Sequence, residues 1–275
     1  MSESYKTGNK ILLLYPYYWP HYKAGGPVQS LFNLVRFLKG KADFFVLSLD
    51  RDIDNIPLDQ PLKKGEWIKG PNEENIYFAP SISPWLVYKI IKEVNPGVIL
   101  INGIFNVNTT LPGILFGNLN RAKIIISPRG MLQDWGLKRN RFIKGLFLFL
   151  FKLLVRKNHH WHATNNQERD DIIRHFGTGR RIHIASNIPK IISEVMRVSF
   201  PDESGRIKLV FLSLINPNKN LHLIIEAVNK SEGFSLDVYG PVIDKLYWER
   251  CLAAMTDSRR VTYKSPVPAW QVTSV

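Results

Sequence analysis

The chain has 275 residues, of which 45% are hydrophobic and 12% aromatic, and this composition supports a sizeable core and argues against global disorder. The length suits one large domain or two ordinary ones. The formal net charge of +14 predicts an anionic partner, and composition alone leaves open whether that partner is nucleic acid, a membrane surface or a phosphorylated small molecule.

In the first 130 residues, short strand-like segments alternate with helical patterns. A helix is predicted from Pro27, with apolar residues at i, i+3, i+4 and i+7, and another after Ser83, a suitable N-cap, with Pro84 at its first position. Four segments are almost continuously apolar, which is typical of strands buried on both faces of a parallel sheet. These are "KILLLYP" (Lys10 to Pro16), "FFVLSL" (Phe44 to Leu49), "GVILING" (Gly97 to Gly103) and "AKIIISP" (Ala122 to Pro128). The alternation predicts a doubly wound α/β sheet.

The strand–helix pattern starts again after the polar stretch "SFPDESGR" (Ser199 to Arg206). "IKLVFLSLI" from Ile207 predicts a new first strand, "LHLIIEAVN" its helix, and "FSLDVYGP" and "VTYKSPV" two further strands. We therefore predict two domains, residues 1–198 and residues 199–275. The second, with only about 70 residues, falls below the usual range of about 100–200, so it reads as incomplete.

Signals for export, membrane spanning and metal binding are weak. The N-terminus is polar and leads directly into a strand, so no secretory signal is predicted. The apolar run from Leu146 to Phe151 is far shorter than the roughly 20 residues that span a bilayer. A single cysteine, Cys251, fits a reducing compartment, and we interpret it as a small semi-buried residue rather than a catalytic one. No metal site is predicted, because "HHWH" (His159 to His162) has no acidic residue nearby.

A paired glycine, Gly25 and Gly26, separates the first strand from the first helix. Glycines there let the backbone approach a ligand without interference from a Cβ atom, and the helix N-terminus beyond them is a natural site for phosphate. The alternative is a tight turn that needs a positive φ. The pair matches neither the Gly-x-Gly-x-x-Gly fingerprint nor a Walker loop.

Five segments, taken in order, resemble the GT-B glycosyltransferases, specifically the large retaining family 4. They are the "AGGP" loop, "IIISPRGML" (Ile124 to Leu132), "HATNNQERDDI" (His162 to Ile172), "FLSLINPNKNLHLIIEAV" (Phe211 to Val228) and "LDVYGP" (Leu236 to Pro241). The resemblance implies a GT-B-like fold of two facing Rossmann-like domains, an acceptor side and a nucleotide-sugar side, the second incomplete here. It also implies a retaining reaction with a nucleoside-diphosphate sugar that needs no metal and no cofactor.

The resemblance assigns roles to residues of this chain. Gly25 and Gly26 take the place of the loop that faces the diphosphate and the transferred sugar. Lys219 takes the place of the lysine that neutralises the diphosphate, although it could also be a solvated lysine. Gly240 ends a strand near the donor, or forms an ordinary turn. Arg129 with Gly130 stands where many relatives have His-Gly at the catalytic centre, and the alternative for Arg129 is a structural salt bridge.

Three features depart from the family. Leu214 stands where an arginine commonly partners the lysine on the diphosphate, and leucine cannot donate a hydrogen bond. The pair of glutamates that usually holds ribose and sugar is not found before "VPAWQVTSV". Closing helices that return to the first domain are also not found, so we expect that roughly 100 residues of an ordinary second domain are absent from this sequence. We therefore expect no detectable transferase activity from these 275 residues alone.

A basic amphipathic stretch lies between Asp134 and Glu168. It contains lysines and arginines, no acidic residue and the run "FIKGLFLFLFKLLV", a combination typical of a helix at an anionic membrane surface. The alternative is a core helix with solvated basic ends. The cations predicted to face the membrane are Lys138, Arg139, Arg141 and Lys144.

The sequence thus predicts a cytoplasmic glycosyltransferase that moves a sugar to a glycan or lipid-linked acceptor, with peripheral association at the inner face of the plasma membrane. Two alternatives remain: an inactive remnant that still folds, and a basic module that binds membrane or nucleic acid. No nucleic-acid partner is expected, because no recognition motif is present and the cations are not interleaved with stacking aromatics on strands.

Overall fold

The computed structural model describes residues 9–21, 23–58, 63–138, 141–189 and 205–267, excluding the side chains of Trp135, Lys138 and Arg141. The chain divides into two compact units, Met1–Lys190 and Ile191–Val275. The domain boundary predicted between residues 198 and 199 lies outside the described residues. None of the described helices is long and apolar enough to cross a membrane.

The first unit is built on an eight-stranded sheet in the order β3-β4-β2-β1-β5-β6-β7-β8. All of its described pairings are parallel except that of β3 with β4. Its strands are β1 Lys10–Leu14, β2 Asp43–Leu49, β3 Trp67–Lys69, β4 Asn75–Ala79, β5 Val98–Asn102, β6 Lys123–Ser127, β7 His160–Ala163 and β8 Arg181–Ile184. The four strands predicted in this half are therefore confirmed as β1, β2, β5 and β6.

The central strand β1 is buried on both faces, as its continuous apolarity predicts. Leu12 and Leu14 belong to one core cluster and Leu13 to the other, because successive side chains of a strand point to opposite faces. Its neighbours are β2 and β5, and Leu12 pairs with Phe45 on one side and Ile99 on the other. The strand order reverses direction at β1 and β5, which is the point where doubly wound sheets bind ligands.

Helices connect the strands of the first unit. They are α1 Gly26–Phe37, α2 Pro84–Val94, α3 Val107–Leu119, α4 Asp134–Lys138, α5 Arg141–Leu154 and α6 Asn166–Phe176. The predicted helix start at Ser83 is confirmed: its hydroxyl accepts a hydrogen bond from the backbone N–H of Leu86, and Pro84 is the first helical residue.

The second unit contains a three-stranded parallel sheet in the order β11-β10-β9. Its elements are β9 Ile207–Leu212, α7 Leu221–Asn229, β10 Phe234–Tyr239, α8 Lys245–Ala254 and β11 Val261–Tyr263. The predicted helix and three strands are confirmed, and Cys251 is buried in the core of this unit.

Candidate functional site

A cavity of about 290 Å³ lies in the first unit where the segments that follow β6 and β7 meet the first turns of α1. Parallel strands place their carboxyl ends at one edge of a sheet, so residues distant in sequence converge there. The cavity wall includes three of the predicted site residues, Gly26, Arg129 and Gly130, and adds Thr164, Glu168 and Asn187.

The two glycines before α1 have different physical roles. Gly25 is the N-cap residue, with φ 77° and ψ −146°, a backbone conformation that is strongly disfavoured for residues other than glycine. Gly26 lines the cavity, and a Cβ atom placed on it meets nothing within 4 Å. The tight-turn explanation therefore accounts for Gly25, whereas the absent side chain of Gly26 leaves space in the cavity. Pro27 follows as a residue without an N–H.

Arg129 and Gly130 form a turn after β6 in which both residues are left-handed, with φ 57° and 72°. This conformation strains a residue that carries a Cβ atom, and such strain is often found at functional sites. The Arg129 side chain is held by two amide oxygens, because its Nε donates to Asn102 Oδ1 at 2.5 Å and its Nη1 donates to Asn187 Oδ1.

The guanidinium of Arg129 keeps its charge beside the cavity. Burial lowers the pKa of Arg129, while the nearby carboxylate of Glu168 opposes that shift, and an arginine remains protonated in either case. Among the described residues, no carboxylate lies within ion-pair distance of Arg129. The amide contacts fix the orientation of the guanidinium without neutralising it, so the arrangement suits an anionic ligand.

Glu168 ties this turn to the start of α6. Its side chain is buried; Oε1 accepts from the backbone N–H of Gly130 at 2.7 Å, and Oε2 accepts from both the N–H and the hydroxyl of Thr164, each at 2.7 Å. The Asn165 side chain caps the same helix by accepting from the N–H of Glu168 at 2.9 Å. Glu168 therefore fixes the position of Gly130, a role that the sequence prediction missed.

Two titratable groups that interact with Arg129 electrostatically, His162 and Tyr15, have pKa values shifted by burial. The hydroxyl of Ser127 donates to His162 Nδ1 at 3.1 Å and His162 Nε2 donates to the carbonyl of Ala185 at 2.8 Å, an arrangement of the neutral imidazole. Burial also lowers the pKa of His162. Burial raises the pKa of Tyr15 to about 12, so its phenol stays protonated at neutral pH.

The predicted donor residues Lys219 and Gly240 lie in the second unit. Lys219 is exposed and ends a short 3₁₀ turn, Pro217–Lys219, just before α7. Gly240 follows β10 with φ 144°, and a Cβ atom placed on it would lie 1.8 Å from the carbonyl oxygen of Ser213. Local packing therefore requires glycine at position 240 whether or not a donor binds there.

The predicted membrane cations are only partly described. Lys144 is half-buried; its ammonium donates to the carbonyl of Gly136 and lies 5.0 Å from the centre of the Phe105 ring. Arg139 and the side chains of Lys138 and Arg141 lie outside the described residues.

Comparison with known proteins shows similarity in structure rather than in sequence. No protein-family model and no curated protein sequence matches the chain. Among solved structures, sucrose-phosphate synthase from Thermosynechococcus elongatus matches with a TM-score of 0.67 at 10% identity over 97% of this chain and 73% of that chain. A lipopolysaccharide outer core galactosyltransferase matches with a TM-score of 0.52 at 14% identity over 96% and 70% of the two chains.

A UDP-GlcNAc 2-epimerase from Neisseria meningitidis, solved with UDP-GlcNAc bound, matches with a TM-score of 0.54 at 10% identity over 96% of this chain and 74% of that chain. These similarities establish a GT-B-like fold, as the sequence resemblance predicts. They do not single out family 4, because an epimerase matches as well as the galactosyltransferase does.

Proposed function

We propose that this chain belongs to a glycosyltransferase that takes a sugar from a nucleoside-diphosphate donor and transfers it to a glycan or lipid-linked acceptor of polysaccharide biosynthesis. The observation that carries the proposal is the cavity whose wall contains both Gly26, which has open space on its Cβ side, and a charged, fixed Arg129. This arrangement provides room and positive charge for a diphosphate or a sugar hydroxyl.

The residues have distinct roles in the proposed reaction. Arg129 is the cation that the first unit contributes to the proposed site, and it stabilises negative charge that develops on the leaving diphosphate or orients the transferred sugar. Gly26 allows close approach of the ligand, and Gly130 holds the turn. Lys219 of the second unit is a further phosphate ligand. The proposed reaction retains the anomeric configuration, is of the hexosyltransferase type, and uses charged side chains in place of a metal or cofactor.

Binding of UDP-sugars, detected by ligand-observed NMR, tests this proposal directly. Arg129→Ala should weaken binding about 10- to 150-fold, because a charge-assisted hydrogen bond contributes about 1.5–3 kcal/mol. Arg169→Ala is the matched control, because Arg169 is an exposed arginine paired with its neighbour Asp170 on α6. Equal affinity for the Arg129→Ala variant, with unchanged thermal stability, would show that the cavity is not the sugar-nucleotide site.

The second candidate function is epimerisation of a nucleotide sugar, because an epimerase with bound UDP-GlcNAc is among the similar structures. Incubating the protein with UDP-GlcNAc distinguishes the two reactions. Appearance of the C2 epimer without an acceptor favours the epimerase, whereas a sugar that moves only when an acceptor is supplied favours the transferase. No turnover in either case agrees with the inactivity expected of these 275 residues alone.

A further inference from the structure

Helix α5 (Arg141–Leu154) has two apolar faces, and only one of them packs against the protein. The inner face contributes Phe147, Leu148 and Phe151 to the core, where Phe151 contacts Trp161 and Phe176. The outer face of α5 consists of Phe142, Ile143, Leu146, Phe149, Leu150 and Leu153, which are 94%, 70%, 63%, 61%, 43% and 70% exposed.

The outer face of α5 is continuous. At 3.6 residues per turn, its six residues fall within an arc of about 120°, and the described charged residues of the helix lie outside that arc. Lys144 is turned toward Gly136 and Phe105, and the ammonium of Lys152 lies 5.8 Å from the centre of the Phe176 ring. Water therefore meets an uninterrupted stripe of large apolar side chains, which marks an interaction surface.

The charge of the surrounding sequence and the length of α5 indicate which partner its outer face fits. Residues 135–167 contain seven lysines and arginines and no acidic residue, so cations precede and follow the apolar stripe in sequence. This charge is complementary to anionic lipid headgroups. At 14 residues the helix is shorter than the roughly 20 that span a bilayer, and a short helix with an apolar stripe and cations lies in the plane of the membrane interface.

We propose that the outer face of α5 inserts into the boundary between headgroups and acyl chains of an anionic membrane. Apolar burial supplies most of the binding, and the cations around the helix supply the preference for anionic lipid. The sequence predicts a basic amphipathic helix at the membrane surface, with the cations Lys138, Arg139, Arg141 and Lys144 facing the membrane; the structure adds which apolar side chains of α5 are exposed and able to insert. The proposal does not depend on the nucleotide-sugar site, because its surface can be tested without a sugar nucleotide.

Vesicle flotation tests the proposal with the 275-residue chain and vesicles of equal parts phosphatidylglycerol and phosphatidylcholine. The triple variant Leu146→Gln, Phe149→Gln, Leu153→Gln should lose at least about a hundredfold in vesicle affinity, because each buried apolar side chain is worth roughly tenfold. The control carries the same number of apolar-to-Gln changes at Phe37, Leu223 and Leu246, all exposed and outside α5. It should bind within about twofold of the unmodified chain.

A fluorescent label reports insertion itself. Cys251 is the only cysteine, so Leu146→Cys in a Cys251→Ser background accepts a single environment-sensitive dye. Adding vesicles should shift the dye emission at position 146 to the blue, whereas the same dye at Phe37→Cys should not respond. The label needs only one exposed substitution on α5, so it remains informative if the triple variant fails to fold.

Three results would overturn the proposal. The first is flotation of the folded triple variant at the affinity of the unmodified chain. The second is complete loss of flotation at high salt, which indicates electrostatic attraction alone. The third is absence of vesicle binding together with self-association that the triple variant abolishes in sedimentation, because the outer face of α5 would then bind a second copy of the chain.

Discussion

Removing the carboxylate of Glu168 should destabilise the first unit and loosen the turn that carries Arg129. In Glu168→Ala, the N–H of Gly130 and the N–H and hydroxyl of Thr164 lose their acceptor at once. Each unsatisfied donor costs about 1–3 kcal/mol. Gly130 and Thr164 are only half-buried at the cavity, so water replaces part of the loss, and we expect about 2–3 kcal/mol in the free energy of unfolding.

Differential scanning calorimetry measures this effect. A loss of 1 kcal/mol shifts Tm by about 2–4 °C in a unit of this size, so the first unit should melt about 4–12 °C lower in Glu168→Ala. Asp170→Ala is the control, because Asp170 is on the same helix but exposed, and its Tm should change little. If Glu168→Ala and Asp170→Ala have the same Tm, Glu168 does not hold the turn and other contacts shape the cavity.

Three further predictions concern single residues. Gly26→Val should abolish nucleotide-sugar binding without unfolding the protein. Its Tm should stay within about 2 °C of that of the exposed helical control Gly145→Val, because a Cβ atom meets open space at both positions. Nucleotide-sugar binding by the folded Gly26→Val variant would contradict the role of Gly26. Burial, aided by nearby arginines, lowers the pKa of His159 from 6.5 to about 4. Because the unfolded chain then binds the proton more readily than the folded chain, the free energy of unfolding falls as the pH drops below about 6.5. Chemical denaturation should show a loss of about 1–2 kcal/mol in the free energy of unfolding between pH 7 and pH 5. If His159→Gln loses the same amount over this pH range, His159 is not the source of the pH dependence. Gly240→Ala should destabilise the second unit by more than 1 kcal/mol, because its Cβ would meet the Ser213 carbonyl; hydrogen exchange of β10 unchanged from the parent chain would contradict this.

Much of the sheet could be predicted from the sequence, because its inner strands are apolar on both faces. The outer strands could not. β8 (Arg181–Ile184) is short, alternates basic residues with isoleucines and is largely exposed. β7 (His160–Ala163) alternates histidines with the buried Trp161 and Ala163. Helix α3 also lacks the apolar periodicity that predicts a helix, because it contains Pro112 and buried threonines in place of a single apolar stripe.

The site was only partly predictable for a different reason. Motif position indicated Gly26, Arg129 and Gly130, but the partners that hold them lie far away in sequence. Asn187 follows a strand with no recognisable motif, and the sequence around it does not indicate that its side chain accepts a hydrogen bond from Arg129. The spacing of Asn165 and Glu168 indicates a helix start, yet only the folded chain shows the carboxylate reaching back to Gly130.

The wide sequence separation of the cavity residues has a consequence for the order of folding. Gly26 is near the beginning of the first unit and Asn187 is near its end, so closing the cavity must overcome the loop-closure entropy of almost the entire unit. Contacts of such high sequence separation form slowly and require the intervening strands to be paired. During synthesis, β1 and α1 therefore emerge long before the cavity can exist, and the cavity is complete only when the first unit has finished folding.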